Sequence, residues 1–120
     1  MTEKPRAQSP IFAKTYDFLL WVIPLTLKYP KSQRFLLAER TSKLALEFYD
    51  LIMEGAFTHN NSNQFFNQAD LLLNKIRLYI RLSFDLQCIS FNQYEFASKS
   101  LDEIGRLLGG WKKNSQQQQV

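Results

Sequence analysis

Histidine and cysteine are almost missing from this chain, which holds one of each in 120 residues. Cys88 has no second cysteine for an internal disulfide, and a reducing, cytoplasmic setting is the expectation that follows. His59 stands alone in an asparagine-rich stretch, without a second histidine to share a metal. Zinc-type spacings, the Glu-x-x-His pairs of di-iron bundles and glycine-rich phosphate loops do not occur. Nor does a histidine lie near Cys88 in sequence to make it a nucleophile. These gaps argue against an enzyme and predict no metal, no cofactor and no small-molecule substrate.

Glycine and proline are also scarce, at four each, and strand-like alternation is missing almost throughout. With 45% hydrophobic residues, this composition predicts one all-α domain. Its most apolar run, "FLLWVIPLTL" at residues 18–27, falls short of the roughly 20 residues that span a bilayer. Met1 is followed by the polar "TEKPRAQSP", which lacks the apolar stretch of a signal peptide. No membrane partner is expected.

What is abundant is apolar helix. Four segments are predicted, about 11–28, 32–56, 64–87 and 92–111, joined by short connections. Such connections favour an up-down-up-down four-helix bundle over residues 11–111. Residues 1–10 are expected to be a flexible leader, and 112–120, ending in "QQQQV", a disordered tail. In the first segment Pro24 removes a backbone donor, so a kink is expected there. Tyr29 before Pro30 is biased away from helix, which predicts a turn. Leu37, Thr41, Leu44, Phe48 and Leu51 alternate steps of four and three, and Gly55 is expected to mark the end of that helix. Tyr94, Ala97, Leu101, Ile104, Leu108 and Trp111 form an equivalent seam on the fourth segment.

The third segment is apolar around most of its circumference. Ala69, Leu72, Leu73, Ile76, Tyr79, Ile80 and Phe84 form one broad face, and Leu71, Leu78, Leu82 and Leu86 form a second. A monomeric bundle buries one face of each helix, so the second leucine group predicts contact with another copy of the chain. Between these faces runs a polar stripe of Asp70, Asn74, Arg77, Arg81 and Asp85.

Formal charge is +4. The excess is concentrated in residues 1–34, while residues 35–64 carry a deficit. Lys28, Lys31 and Arg34 cluster at the first turn, and Arg40 and Lys43 follow on helix two. Arg77 and Arg81, one turn apart, could offer guanidinium forks to successive phosphates. The competing reading is a solvated face with ion pairs: Glu39 with Lys43, Asp102 with Arg106, and Arg81 with Asp85. The ending "DEIGRLLGGWKK" sets three glycines in a helical pattern just before Trp111. Gly109 or Gly110 would serve as a left-handed cap, Gly105 as a point of close approach, and Trp111 as the end of the core seam.

"YDFLLWVIPLTLKYPKSQRFLLAERTSKLALEFYDLI", "KIRLYIRL" and "YEFASKSLDEIGRLLGGW" resemble the accessory variability determinant proteins of diversity-generating retroelements. These belong to a wider four-helix-bundle family that includes proteins encoded in intervening sequences of 23S ribosomal RNA genes. The resemblance spans residues 15–111. It implies a homopentameric barrel with a positive surface and no catalytic activity of its own. It also implies association with the element's reverse transcriptase, with template RNA and with DNA, in support of mutagenic retrohoming. Arg77 and Arg81 match the arginine pair of the third helix, and Lys31 and Arg34 match the basic turn that Arg40 and Lys43 continue. Gly105, Gly109, Gly110 and Trp111 match the closing motif. An intervening-sequence-type bundle with a structural role is the alternative.

Overall fold

Four antiparallel helices enclose a single core in the computed structural model, which describes residues 9–117. They are α1 (Pro10–Thr26), α2 (Glu39–Phe57), α3 (Asn63–Asp85) and α4 (Phe91–Gln117). Each packs against its two neighbours in sequence order, and α1 meets α4 to close the square. The all-α expectation is borne out, and the described residues contain four α-helices and no strand.

The starts and stops follow from local chemistry. Pro10 opens α1 at its first position, where the missing N–H has no helical role. Pro24 falls in the last turn, and Thr26 closes it by donating its hydroxyl to the Ile23 carbonyl at 2.8 Å. Between α1 and α2 the chain makes a 3₁₀ turn at Lys31–Gln33 and a π turn at Arg34–Ala38. α2 proper therefore begins later than residue 32. Ser62 caps α3 by accepting from the Phe65 N–H at 3.1 Å. Ser90 and Gln93 cap α4 reciprocally: the Gln93 N–H donates to the Ser90 hydroxyl and the Ser90 N–H to Gln93 Oε1.

The predicted seams hold the core together. Leu37, Thr41 and Phe48 from α2 and its lead-in are fully buried, as are Ala97, Leu101, Ile104 and Leu108 from α4. Leu44 and Leu51 are half-buried against them. At one end Trp111 packs edge-on to Phe65 and Phe66, with ring centroids 5.3 and 5.6 Å away, and meets Phe12 at 6.1 Å. Trp111 does close the seam, half-buried among three rings.

The glycines depart from expectation. Gly55 lies inside α2, two residues before its end, buried under Phe65. Gly109 and Gly110 lie inside α4, which passes through Trp111 and continues to Gln117. Both are exposed, and a methyl group at either would meet nothing within 4 Å. They neither cap the helix nor admit a neighbour. Residues 112–117 of the expected tail are helical, and Ser115 is buried; residues 1–8 and 118–120 lie outside the described residues. The left-handed caps fall on non-glycine residues. His59 (φ 53°) follows α2 and Gln87 (φ 64°) follows α3. In each case two backbone bonds fold back onto the last turn: Asn60 N–H to Gly55 and His59 N–H to Ala56, then Cys88 N–H to Ser83 and Gln87 N–H to Phe84.

Candidate nucleic-acid and partner interface

The basic turn is anchored from inside. Tyr29 is 1% exposed, the most deeply placed aromatic of the connection, and its phenol lies beside Ser83 near the end of α3. Burial pushes that phenol above its ordinary pKa; its hydroxyl has no hydrogen-bond partner among the described residues, and Ser83 donates instead to the Tyr79 carbonyl at 2.7 Å. With Tyr29 plugged into the core, Lys28, Lys31 and Arg34 are left exposed around it.

The same seam continues down α2 and α3. Arg40 donates from Nη1 to the Tyr79 hydroxyl at 3.2 Å. One turn on, Lys43, Leu44 and Glu47 of α2 face Lys75 and Leu78 of α3 across a shallow groove of about 340 Å³. Among the described residues the ion pairs are Lys14–Glu103, Arg77–Asp102 and Arg81–Asp85. The groove cations Arg40, Lys43 and Lys75 are in none of these pairs, although Glu47 lines the same groove. Lys75 and the polar role of Tyr79 are not among the sequence-predicted site residues. The available signal was spacing: Lys75 and Tyr79 are i and i+4 on α3, but periodicity places the tyrosine on the core face.

Arg77 and Arg81 have a different fate. Arg77 reaches across to α4, where it pairs with Asp102 and donates from Nη2 to the Leu101 carbonyl at 3.2 Å. A methyl carbon at Gly105 would lie 2.9 Å from that same Nη2 and 3.4 Å from Leu73. Gly105 is therefore the point of close approach expected of it, and the group it admits is a guanidinium. Asp102 takes Arg77 in place of the expected Arg106, and no ion pair joins Glu39 to Lys43 among the described residues. Arg81 donates from Nε to both oxygens of Asp85 at 3.1 Å, an expected pair, which holds its pKa above the ordinary value. The two arginines do not form a free phosphate fork.

On the outer side of α3, Leu71, Leu78 and Leu86 are 54%, 60% and 47% exposed. Leu82 departs from this group, since it is half-buried against the core. His59 is exposed at its helix end, and Cys88 is half-buried with its thiol pushed up by desolvation. Among the described residues no group of three metal-ligating side chains occurs, and no helix is long and apolar enough to cross a membrane.

The arrangement exposes cations beside a tyrosine and a leucine. No curated protein matches the chain by sequence. The bAvd-like family model matches residues 10–115, which covers all four helices but the last two residues of α4. That agrees with the resemblance carried by the sequence motifs, and the chain belongs to the bAvd-like family, an accessory and non-catalytic kind of protein.

Proposed function

We propose that this protein is a non-enzymatic accessory subunit of a diversity-generating retroelement. In this role it binds the element's reverse transcriptase and template RNA, supports mutagenic cDNA synthesis and retrohoming, and works as a homopentamer. The family match over residues 10–115 carries this reading. The exposed cations Lys28, Lys31 and Arg34 of the first turn, continued by Arg40 and Lys43 on α2, support it. Five copies would raise a formal charge of +4 to +20, which concentrates a mild monomer charge into a field that attracts polyanions. No base-reading group stands out, so RNA is held by its phosphates and with little sequence preference. Arg77 and Arg81 can join such a surface only by leaving Asp102 and Asp85. Lys28, Lys31, Arg34, Arg40 and Lys43 therefore make the first contacts.

The test is a salt titration of template-RNA binding, run beside a polymerase pull-down. Replacing the five cations by alanine is expected to abolish polymerase capture and weaken RNA binding. The slope of log affinity against log salt should flatten by about 0.7 for each single-strand phosphate that is no longer neutralised. Unchanged slope and unchanged capture would overturn the proposal.

A further inference from the structure

The apolar stripe on α3 has a counterpart on α1. Tyr16, Leu20 and Leu27 are 51%, 59% and 70% exposed, and Ile23 between them is half-buried. Their spacing is four, three, four. At 100° per residue they fall within a narrow band on one side of the helix. On α3, Leu71, Lys75, Leu78 and Leu82 repeat the same four, three, four spacing. Both are the seams of a two-helix coiled contact, in which each side chain enters a gap on the facing helix. Yet α1 and α3 are diagonal members of the square, so within one copy these stripes cannot reach each other.

The two stripes also stand at equal height. At one end, the Trp111 ring touches both Phe12 of α1 and Phe66 of α3. At the other, Tyr29, just past α1, lies beside Ser83 of α3. Both pairs are 54 apart in residue number. Tyr16 with Leu71, Leu20 with Lys75, Ile23 with Leu78 and Leu27 with Leu82 are each 55 apart, so the stripes match to within one residue, about 1.5 Å of rise. In an up-down-up-down bundle α1 and α3 run the same way. A copy rotated about an axis parallel to the bundle would present its α1 stripe to the α3 stripe of its neighbour, parallel and in register. Matching height means no net climb from copy to copy, which is the condition for a closed ring over an open filament.

Charge agrees with this pairing. Lys75 is the one charge in the α3 stripe, and it is exposed without an ion pair. Its level on α1 is that of Tyr16 to Leu20. Asp17 adjoins Tyr16 in sequence, and Asp50 adjoins Tyr49, whose ring centroid is 6.3 Å from that of Tyr16. Both carboxylates are exposed and outside the ion pairs of the described residues. Asp17 lies one residue round α1 from the stripe, on the side where it shares a cleft with Lys14 and Lys99. Asp50 lies one residue round α2 from Tyr49, so the two stand on opposite sides of the stripe at the level where Lys75 of another copy would arrive.

We infer that copies of this chain join head to tail, the Tyr16–Leu20–Leu27 stripe of α1 in one copy seated on the Leu71–Leu78 stripe of α3 in the next, with Lys75 between Asp17 and Asp50. This rests on the homo-oligomer reading above and adds to it the two faces that meet. The unlike faces make a mixing experiment decisive. Leu20→Glu spoils one face and Leu78→Glu the other; both positions are exposed, so each variant should keep the helical circular-dichroism signal of the unaltered chain. In native mass measurement each variant alone is expected to be monomeric, and an equimolar mixture to form a dimer containing one of each. A like-with-like contact would instead leave one variant dimeric by itself and overturn the inference. So would full-sized assemblies from either variant. Should Leu20→Glu or Leu78→Glu lose its helical signal, Lys75→Glu with and without Asp17→Lys and Asp50→Lys takes its place. Loss and recovery of assembly is then the expected pattern, and no effect of Lys75→Glu is the overturning one. A monomeric unaltered chain would refute the oligomer reading itself, whereas a native-sized Leu20→Glu assembly refutes only the pairing of faces.

Discussion

The two seams that flank α3 are built on the same device and end differently. On each side a glycine of the neighbouring helix lets an α3 side chain come close: Phe65 over Gly55 of α2, and Arg77 over Gly105 of α4. On the α4 side the intruder is a cation, and α4 supplies Asp102 and the Leu101 carbonyl to receive it. That seam is electrically closed. On the α2 side the intruder is an aromatic ring, at the end of the seam away from the basic turn. The cations further along, Arg40, Lys43 and Lys75, share their groove with Tyr79 and Glu47 and form no ion pair among the described residues. Arg77 and Lys75 are two residues apart on one helix, yet one ties the bundle together and the other is left exposed on the surface of the single copy. What decides between them is the neighbouring helix.

The contrast is broken most strongly at Gly55. A methyl group there would fall well inside contact distance of Phe65 Cε1 and Cζ, and a ring buried to 2% exposure and packed on Phe66 and Trp111 has nowhere to swing. Gly55→Ala is expected to destabilise by about 1–3 kcal/mol, read from the denaturant midpoint. At Gly105 the obstructing atom is the end of a flexible chain, so Gly105→Ala displaces Arg77 while gaining up to about 1 kcal/mol of helix propensity. It should come out near neutral. Equal losses at the two sites would show that the seams do not differ in the way described.

Next in size is the tie itself. Hydrogen bonds to charged partners contribute about 1.5–3 kcal/mol when well shielded, but the Arg77 side chain is 36% exposed and that of Asp102 58%. Arg77→Ala should therefore cost only about 1 kcal/mol after solvent screening. In the Arg77→Ala background, Gly105→Ala should become clearly stabilising, because the guanidinium it obstructs is gone. The thermodynamic cycle over the two sites measures that coupling. Perfect additivity would mean that Gly105 is not there for Arg77. Gly109→Ala and Gly110→Ala serve as controls in open space, each expected to stabilise by about 0.5–1 kcal/mol.

Helix number, helix faces and core seams were legible in the sequence because they rest on a repeat of 3.6, which burial enforces along the whole element. Leu101, Ile104 and Leu108 follow from spacing alone. The glycines were not legible, since a glycine is equally suited to capping and to close approach, and only the neighbour across the seam decides. Phe65 and Arg77 are that neighbour, and neither is local in sequence to the glycine it covers. His59 and Gln87 hide for the complementary reason. A left-handed φ costs these residues roughly 1–2 kcal/mol, and the two backbone bonds that each cap closes outweigh a local preference. The candidate basic surface was half legible. Lys28, Lys31, Arg34, Arg40 and Lys43 are the exposed cations that their positions in the sequence suggest. Arg77 groups with them by spacing because an ion pair across helices, as with Asp102, leaves no periodic mark, whereas the Arg81–Asp85 pair, four apart on one helix, was legible.

The smallest expected effect lies at the upper end of the α2/α3 seam, where Tyr29 fastens the basic turn to the core. Its phenol pKa is raised above 10.0, mainly by burial. The folded chain therefore holds the phenolic proton more tightly than the unfolded chain does. The stability linked to it is complete below pH 10 and drains away as pH climbs through the raised value. Cys88, also raised from its ordinary 9.0 by desolvation, adds a loss of the same sign that begins earlier. Tyr29→Phe keeps the ring and removes the ionisation; because the Cys88 charge itself helps to raise the phenol, the comparison is made with Cys88→Ser in both proteins. Denaturant midpoints measured at pH 8 and pH 11 should fall further in the chain that keeps Tyr29 than in Tyr29→Phe. Equal falls would mean that the turn opens to solvent before the phenol ionises. The cations around it would then be held by a loose connection, and the α2/α3 seam would differ from the α3/α4 seam in rigidity as well as in charge.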